Sequence, residues 1–197
     1  RGEGGASARS SDTPSRCEAK DAMTDLLALP ESGLADHLAA HVAGFRGPLT
    51  ATKFKGGQSN PTYLIEAASG RYVLRRKPPG VLLASAHAIE REFRVLGALH
   101  GSAVPVAAPL YLCEDPHVIG SAFYLMSHVP GTAQFDPSLP RHTPAQRAQA
   151  YSRVLEVLVA LARLDVAALG LADYGRPGNY FARQVTRLEE DGALEVT

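Results

Sequence analysis

Three short stretches of the 197-residue chain carry side chains able to handle an anion: FKGGQSNPTYLI at 54–65, RRK at 75–77 and IEREFRVLGAL at 89–99. Gly56 and Gly57 lack a Cβ, so backbone N–H groups in a turn there can approach phosphate oxygens closely, and Gln58, Ser59 and Asn60 can add donors. The spacing is not G-x-x-x-x-G-K-[ST], and no helical pattern follows directly, which excludes a P-loop. Taken alone, a glycine pair between two strand patterns fits a plain hairpin turn better than a phosphate cradle.

The cations and the helix that follows shift that balance. Side chains alternate along a strand, so Arg75 falls with Val73 and away from Tyr72 and Leu74. Before the helix is considered, a solvated strand end explains the RRK run slightly better. On the helix, taking Ile89 as zero and about 100° per residue, Phe93 and Leu96 fall within about 40° and Leu99 at about −80°. Glu92, at about −60°, lies inside this apolar stripe, whereas Glu90, Arg91 and Arg94 point elsewhere. A carboxylate on a core-facing stripe is unfavourable unless paired, and Arg75 on the preceding strand is the candidate partner.

Other candidate groups are weaker. His37 and His41 stand four apart on a helical pattern, a spacing that could grip a metal, but without a nearby carboxylate or cysteine the simpler reading is a packed or solvated pair. Cys17 and Cys113 match no zinc or C-x-x-C spacing and read as free thiols.

The elements that must position these residues are short. Leu34, Leu38 and Val42 predict a helix over 31–43, stopped by Gly44 and the Gly47–Pro48 pair. Strand patterns follow at 49–55, 61–67 and 71–76, the last two joined by an ASG turn. A helix is predicted over 85–100, closed by Gly101, and strands at 106–112 and 119–129 flank EDPHVIG. The order β-β-β-α-β-β predicts an α+β lobe with a five-stranded antiparallel sheet and one inserted helix. After a proline-rich connector, Thr143, Pro144 and Gln146 supply the N-cap, first-turn proline and capping-box amide of a helix running to about Leu164. Its stripe of Ala148, Tyr151, Leu155, Leu158 and Leu161 needs partners that the chain does not supply, so the chain is expected to be the front of a larger two-lobed protein. Residues 1–22 hold almost no large apolar side chain and are expected to be disordered. Met23 stands where globular sequence begins, and the earlier residues read as upstream or appended sequence.

Composition narrows the partners. Lys plus Arg equals Asp plus Glu at 20 each, so no global charge excess points to nucleic acid or an anionic membrane. No apolar run approaches the length of a membrane span, and no signal-peptide core precedes the domain, so a cytoplasmic protein is expected.

Together GGQSNPTYLI, YVLRRKPPG, SAHAIEREFRVLGAL, VIGSAFYLMSHVPG, DPSLP and GLADYGRPGNYFARQV resemble the aminoglycoside phosphotransferase and choline kinase superfamily. The similarity covers about Lys53 to Val185. It is strongest to the branch of stand-alone bacterial phosphotransferases and of N-terminal domains of some acyl-CoA dehydrogenases. The resemblance implies a kinase-like N-lobe over 23–130 and a partial helical C-lobe over 131–197. It implies that Gly56, Gly57, Gln58, Ser59 and Asn60 lie over the phosphates of ATP. Arg75 would take the phosphate-contacting position that is usually lysine, with Glu92 as its ion-pair partner. Phe123 to Pro130 would form the hinge, with Met126 behind the adenine and backbone groups of Ser127 and Val129 on the base; Pro130 has no N–H to offer.

The family's catalytic H-G-D-x-x-x-x-N loop does not occur here, and Asp165, Asp173 and Asp191 stand in other contexts. No catalytic residue is therefore assigned, and the ligands of Mg2+ are expected beyond residue 197. The implied activity is transfer of the γ-phosphoryl of ATP to a hydroxyl of a small metabolite, with these residues alone inactive. Hydroxyacyl-CoA thioesters, choline-like alcohols and sugars all stay open as acceptors, and fusion or association with an acyl-CoA dehydrogenase is implied. The alternative is a non-catalytic nucleotide-binding or interaction module.

Overall fold

The computed structural model describes residues 28–54, 60–78, 88–175 and 178–190. It divides into two compact units: one runs to Glu90 and includes Leu110–His128, and the other holds Arg91–Pro109 and the chain from Val129 onward.

The first unit is a helix on a sheet. Helix α1, Glu31–His41, begins after Pro30, whose carbonyl accepts from the Leu34 amide at 2.9 Å, and ends where Val42 turns extended at φ −111°. Its apolar stripe buries Leu34 and Leu38 completely; full burial of such a leucine contributes roughly 2 kcal/mol. Strands β1 (Leu49–Lys53), β2 (Thr62–Ala67), β3 (Gly70–Arg76), β4 (Pro109–Cys113) and β5 (Phe123–Ser127) form one sheet in the order β1-β2-β3-β5-β4. β1, β2, β3 and β5 pair antiparallel in sequence order of the sheet. The ASG turn closes the β2–β3 hairpin with Ala67 opposite Gly70.

Strand alternation separates two faces. Leu49, Tyr63, Ile65, Leu74, Phe123, Leu125 and Cys113 turn toward Leu34 and Leu38 and form the core of this unit. The opposite face carries Thr62, Leu64, Val73, Arg75, Tyr124 and Met126, with Thr62 opposite Arg75, Arg75 opposite Tyr124 and Val73 opposite Met126.

The predicted helices and strands are present with shorter ends. The strand expected from residue 106 starts at Pro109, and the one expected from 119 starts at Phe123, because Asp115 caps a turn whose Gly120 amide closes on the Pro116 carbonyl at 2.7 Å. Ile119 therefore packs against the core from a turn, its apolar character having read as strand, and Val118 packs beside it. Helix α2, expected from residue 85, is Ile89–Leu99, its earlier predicted residues 85–87 lying outside the described ones. Gly101, at φ +85°, lets the chain leave the helix.

The second unit contains helix α3, Pro144–Ala162, and helix α4, Tyr180–Glu190. The capping box forms as predicted: the Gln146 amide donates to Thr143 Oγ at 3.3 Å and the Thr143 amide to Gln146 Oε1 at 2.9 Å. The α3 stripe is open, with Tyr151, Val154, Leu155, Leu158 and Val159 all exposed. Arg94 forms a two-pronged ion pair with Asp173 and donates to the Gly170 carbonyl at 2.7 Å, while Arg91 lies over the Tyr174 ring. These two arginines, which sequence places off the apolar stripe, hold the loop 170–174. Among the described residues no helix is long and apolar enough to cross a membrane.

Candidate functional site

The site is built where β2 and β3 meet the glycine turn. Gly56, Gly57, Gln58 and Ser59 lie outside the described residues. The described residues on either side of them are fixed. The Phe54 amide donates to the Thr62 carbonyl at 2.9 Å, and Asn60, almost fully buried, precedes Pro61, whose carbonyl accepts from the Arg76 amide at 3.0 Å.

Arg75 is tied to that end of the turn. Its Nη1 donates to Thr62 Oγ at 3.3 Å, and the Thr62 hydroxyl donates in turn to the Asn60 carbonyl at 3.1 Å. A half-buried guanidinium is thus linked through the Thr62 hydroxyl to Asn60, the residue that follows the glycine-containing stretch in sequence. A positioned guanidinium can grip phosphate or carboxylate oxygens with two parallel N–H groups. Register places Met126 on the same face as Arg75, next to Val73 across the ladder. Ser127 is half-buried opposite Tyr72, and Val129, in the second unit, is exposed.

Glu92 is half-buried on α2, while its neighbours Arg91 and Arg94 are exposed, in keeping with the inward placement derived from the helical stripe. Ile89 is fully buried and Leu99 nearly so. One reading needs correcting: Glu90 does not simply point elsewhere, because it forms an ion pair with Lys77, each side chain 30 % exposed. Spacing alone concealed it, since Lys77 lies past the end of β3. This contact fixes the start of α2 to the end of the strand that carries Arg75.

Sequence reasoning also missed Arg76. Period-2 alternation puts it on the core face, where its side chain is 2 % exposed. Its Nε donates to Ser121 Oγ at 2.9 Å, and Ser121 donates to the Lys77 carbonyl at 3.0 Å. Burial pushes the neighbouring Tyr63 phenol up, an effect opposed by Arg76, and burial pushes Arg76 down. An alternation count carried one residue further would have found it.

The histidine pair is packed rather than ligating: the His37 and His41 rings stack at 4.2 Å, and His37 Nε2 hydrogen-bonds the Tyr111 hydroxyl at 3.0 Å. Among the described residues no group of three or more His, Cys, Asp or Glu is arranged to hold a metal. Cys113 is a buried free thiol.

A five-stranded antiparallel sheet with a helix inserted after β3, an oriented cation at the end of β3 and a glycine pair in the sequence between β1 and β2 define the N-lobe of a kinase-like phosphotransferase. The chain belongs to the phosphotransferase enzyme family, whose model matches residues 50–195. It is 44 % identical over 160 residues to acyl-CoA dehydrogenase family member 10 of Mus musculus, covering 81 % of this chain and 15 % of that protein. It is 44 % identical over 156 residues to acyl-CoA dehydrogenase family member 11 of Rattus norvegicus, covering 79 % of this chain and 20 % of that one. The crystal structure of a "putative aminoglycoside phosphotransferase" from Ralstonia eutropha superposes with a TM-score of 0.70 at 45 % identity, over 83 % of this chain and 47 % of that one. The chain thus spans a fifth or less of these two dehydrogenases and under half of the solved phosphotransferase.

Proposed function

We propose that this chain is the nucleotide-binding portion of an ATP-dependent small-molecule kinase that transfers the γ-phosphoryl group to a metabolite hydroxyl. The observation that carries the reading is the Arg75–Thr62–Asn60 relay, which aims a guanidinium at the closing residue of a glycine turn. Phosphate oxygens need such a fixed cation beside backbone N–H groups, and neither a plain hairpin nor a solvated strand end requires the relay.

In this reading Gly56 to Asn60 cover the phosphates, Arg75 holds their oxygens, and Glu92 pairs with Arg75 to keep it extended. Met126 lines the back of the adenine pocket, and the backbone of Ser127 and Val129 binds the base edge. ATP, when bound, supplies the transferable phosphoryl group, with its Mg2+ held by residues of the longer family domain. The pairing of this domain with dehydrogenases in its relatives supports fusion or association with an acyl-CoA dehydrogenase here. A hydroxylated small molecule in the cytoplasm is the acceptor class.

The test is calorimetric titration of the full-length gene product with a non-hydrolysable ATP analogue. The parent should bind, and Arg75→Ala and Glu92→Ala should each weaken binding at least about tenfold, the loss expected for one charge-assisted phosphate contact. A parent that binds no analogue, or variants that match it, would overturn the proposal. Binding without phosphoryl transfer to any hydroxylated metabolite would favour the non-catalytic module.

A further inference from the structure

Among the described residues, Arg76 is a buried cation without a carboxylate partner. Among the described residues its side-chain partners are the Ser121 hydroxyl and the Tyr63 phenol, both neutral near pH 7, and its Nη1 is buried with no hydrogen-bond partner. No carboxylate is paired with it among the described residues. The adjoining stretches 55–59 and 79–87 contain no Asp or Glu. Gly120, at φ +83°, closes the turn beside it, and a Cβ there would stand 3.6 Å from Nη2.

A methionine would fill this space without the penalty of desolvating a charge. An arginine keeps its proton even when buried, so the charge persists. With no local partner to cancel it and little salt to screen it, its field extends through the low-dielectric sheet. The nearest functional group is its sequence neighbour: Arg75 leaves the same strand toward the opposite face, where the nucleotide phosphates lie in the reading above.

We infer that Arg76 is a specificity residue, whose uncompensated charge adds to that of Arg75 across the sheet and selects ligands by the number of phosphate charges they carry. The inference rests on the nucleotide-binding reading of the Arg75 face. At about 10 Å and an effective dielectric of about 20, one unit charge acting on another changes affinity by about tenfold.

The test is titration of the full-length gene product with ATP, AMP and adenosine, without magnesium so that phosphate charge stays unneutralised. Arg76→Met should weaken ATP about tenfold and AMP about threefold while leaving adenosine unchanged. Ser121→Asp supplies the missing carboxylate without removing the arginine. It should reproduce the same graded loss among the ligands while the folded protein retains adenosine affinity, and Arg76→Lys should retain the parent's ATP-to-adenosine ratio. A merely structural arginine predicts the reverse: Arg76→Met would weaken all three ligands equally, and Ser121→Asp would weaken none. Either variant alone decides, and Arg76→Gln serves if Met is not tolerated. A parent that fails to bind ATP removes the nucleotide reading itself, whereas a parent that binds ATP with variants of unchanged ligand ratio removes only the role of Arg76.

Discussion

Arg75 and Arg76 are consecutive residues of one type on one strand, and they live on opposite faces of the sheet. Arg76 turns into the core under α1, is 2 % exposed and meets neutral partners; Arg75 is half-buried and held by Thr62 at the foot of the glycine turn. Strand alternation alone sorts them. The difference shows that residue type did not assign the two roles. The face did, through what each side chain can reach: Ser121 and the apolar core on one side, and on the other the Thr62 hydroxyl and, through it, the Asn60 carbonyl.

The contrast breaks first where the core face is cut. Leu74 is fully buried between Tyr63 of β2 and Leu125 of β5 and belongs to the cluster that includes Leu34 and Leu38 of α1. Leu74→Ala should destabilise the fold by about 3 kcal/mol, read as a lower denaturation midpoint. Replacing each arginine by alanine is the direct comparison. Arg76→Ala leaves a cavity and removes the donor that Ser121 Oγ accepts from, so it should lower stability by about 2 kcal/mol. Arg75→Ala should lower stability less, by about 1 kcal/mol, the scale of one lost hydrogen bond, while weakening nucleotide affinity at least about tenfold. Equal stability losses for the two would dissolve the distinction between the faces.

A finer cut removes only the relay. Thr62→Val keeps the β-branched shape that suits β2 but deletes the hydroxyl that accepts from Arg75 and donates to the Asn60 carbonyl. Stability should fall by about 1 kcal/mol. Affinity for an ATP analogue should drop about threefold to fivefold, less than for Arg75→Ala, because the guanidinium remains but is no longer aimed. An unchanged affinity would show that Arg75 finds its orientation without Thr62.

Much of this was legible before any coordinates. The period of the apolar residues gave α1, α2 and the five strands, and Thr143-Pro144-Gln146 marked the α3 start to the residue, because a capping box is a purely local device. Helical geometry separated Glu92, half-buried, from the exposed Arg91 and Arg94. What stayed hidden was tertiary in origin. The Lys77–Glu90 contact depends on where a strand end meets a helix start, and the grip of Arg91 and Arg94 on 170–174 joins residues about eighty positions apart. Arg76 was hidden for another reason: a cation at a strand end reads as solvated unless the count of alternate positions is trusted over residue type.

The smallest expected effect belongs to the α1 face and depends on pH. His37 is held below its ordinary value, first by burial and then by the neighbouring His41, with Asp115 acting in the opposite direction. His41 stacks on it, Tyr111 hydrogen-bonds it and Phe123 meets its ring edge, so a proton gained at His37 enters an aromatic, partly closed setting. Because the folded state takes up this proton less readily than the unfolded chain, the unfolded state binds more protons in the window below pH 6.5. Stability is therefore full above that value, falls as the pH drops through it toward the lowered folded value, and levels off beneath. Denaturation midpoints compared between neutral and mildly acidic buffer should show this decline in the parent, and His37→Gln should flatten it. Nucleotide affinity on the Arg75 face of His37→Gln should match the parent at neutral pH, since the substitution touches only the helix-covered side; a parallel loss there would mean that the two faces of the sheet do not act separately.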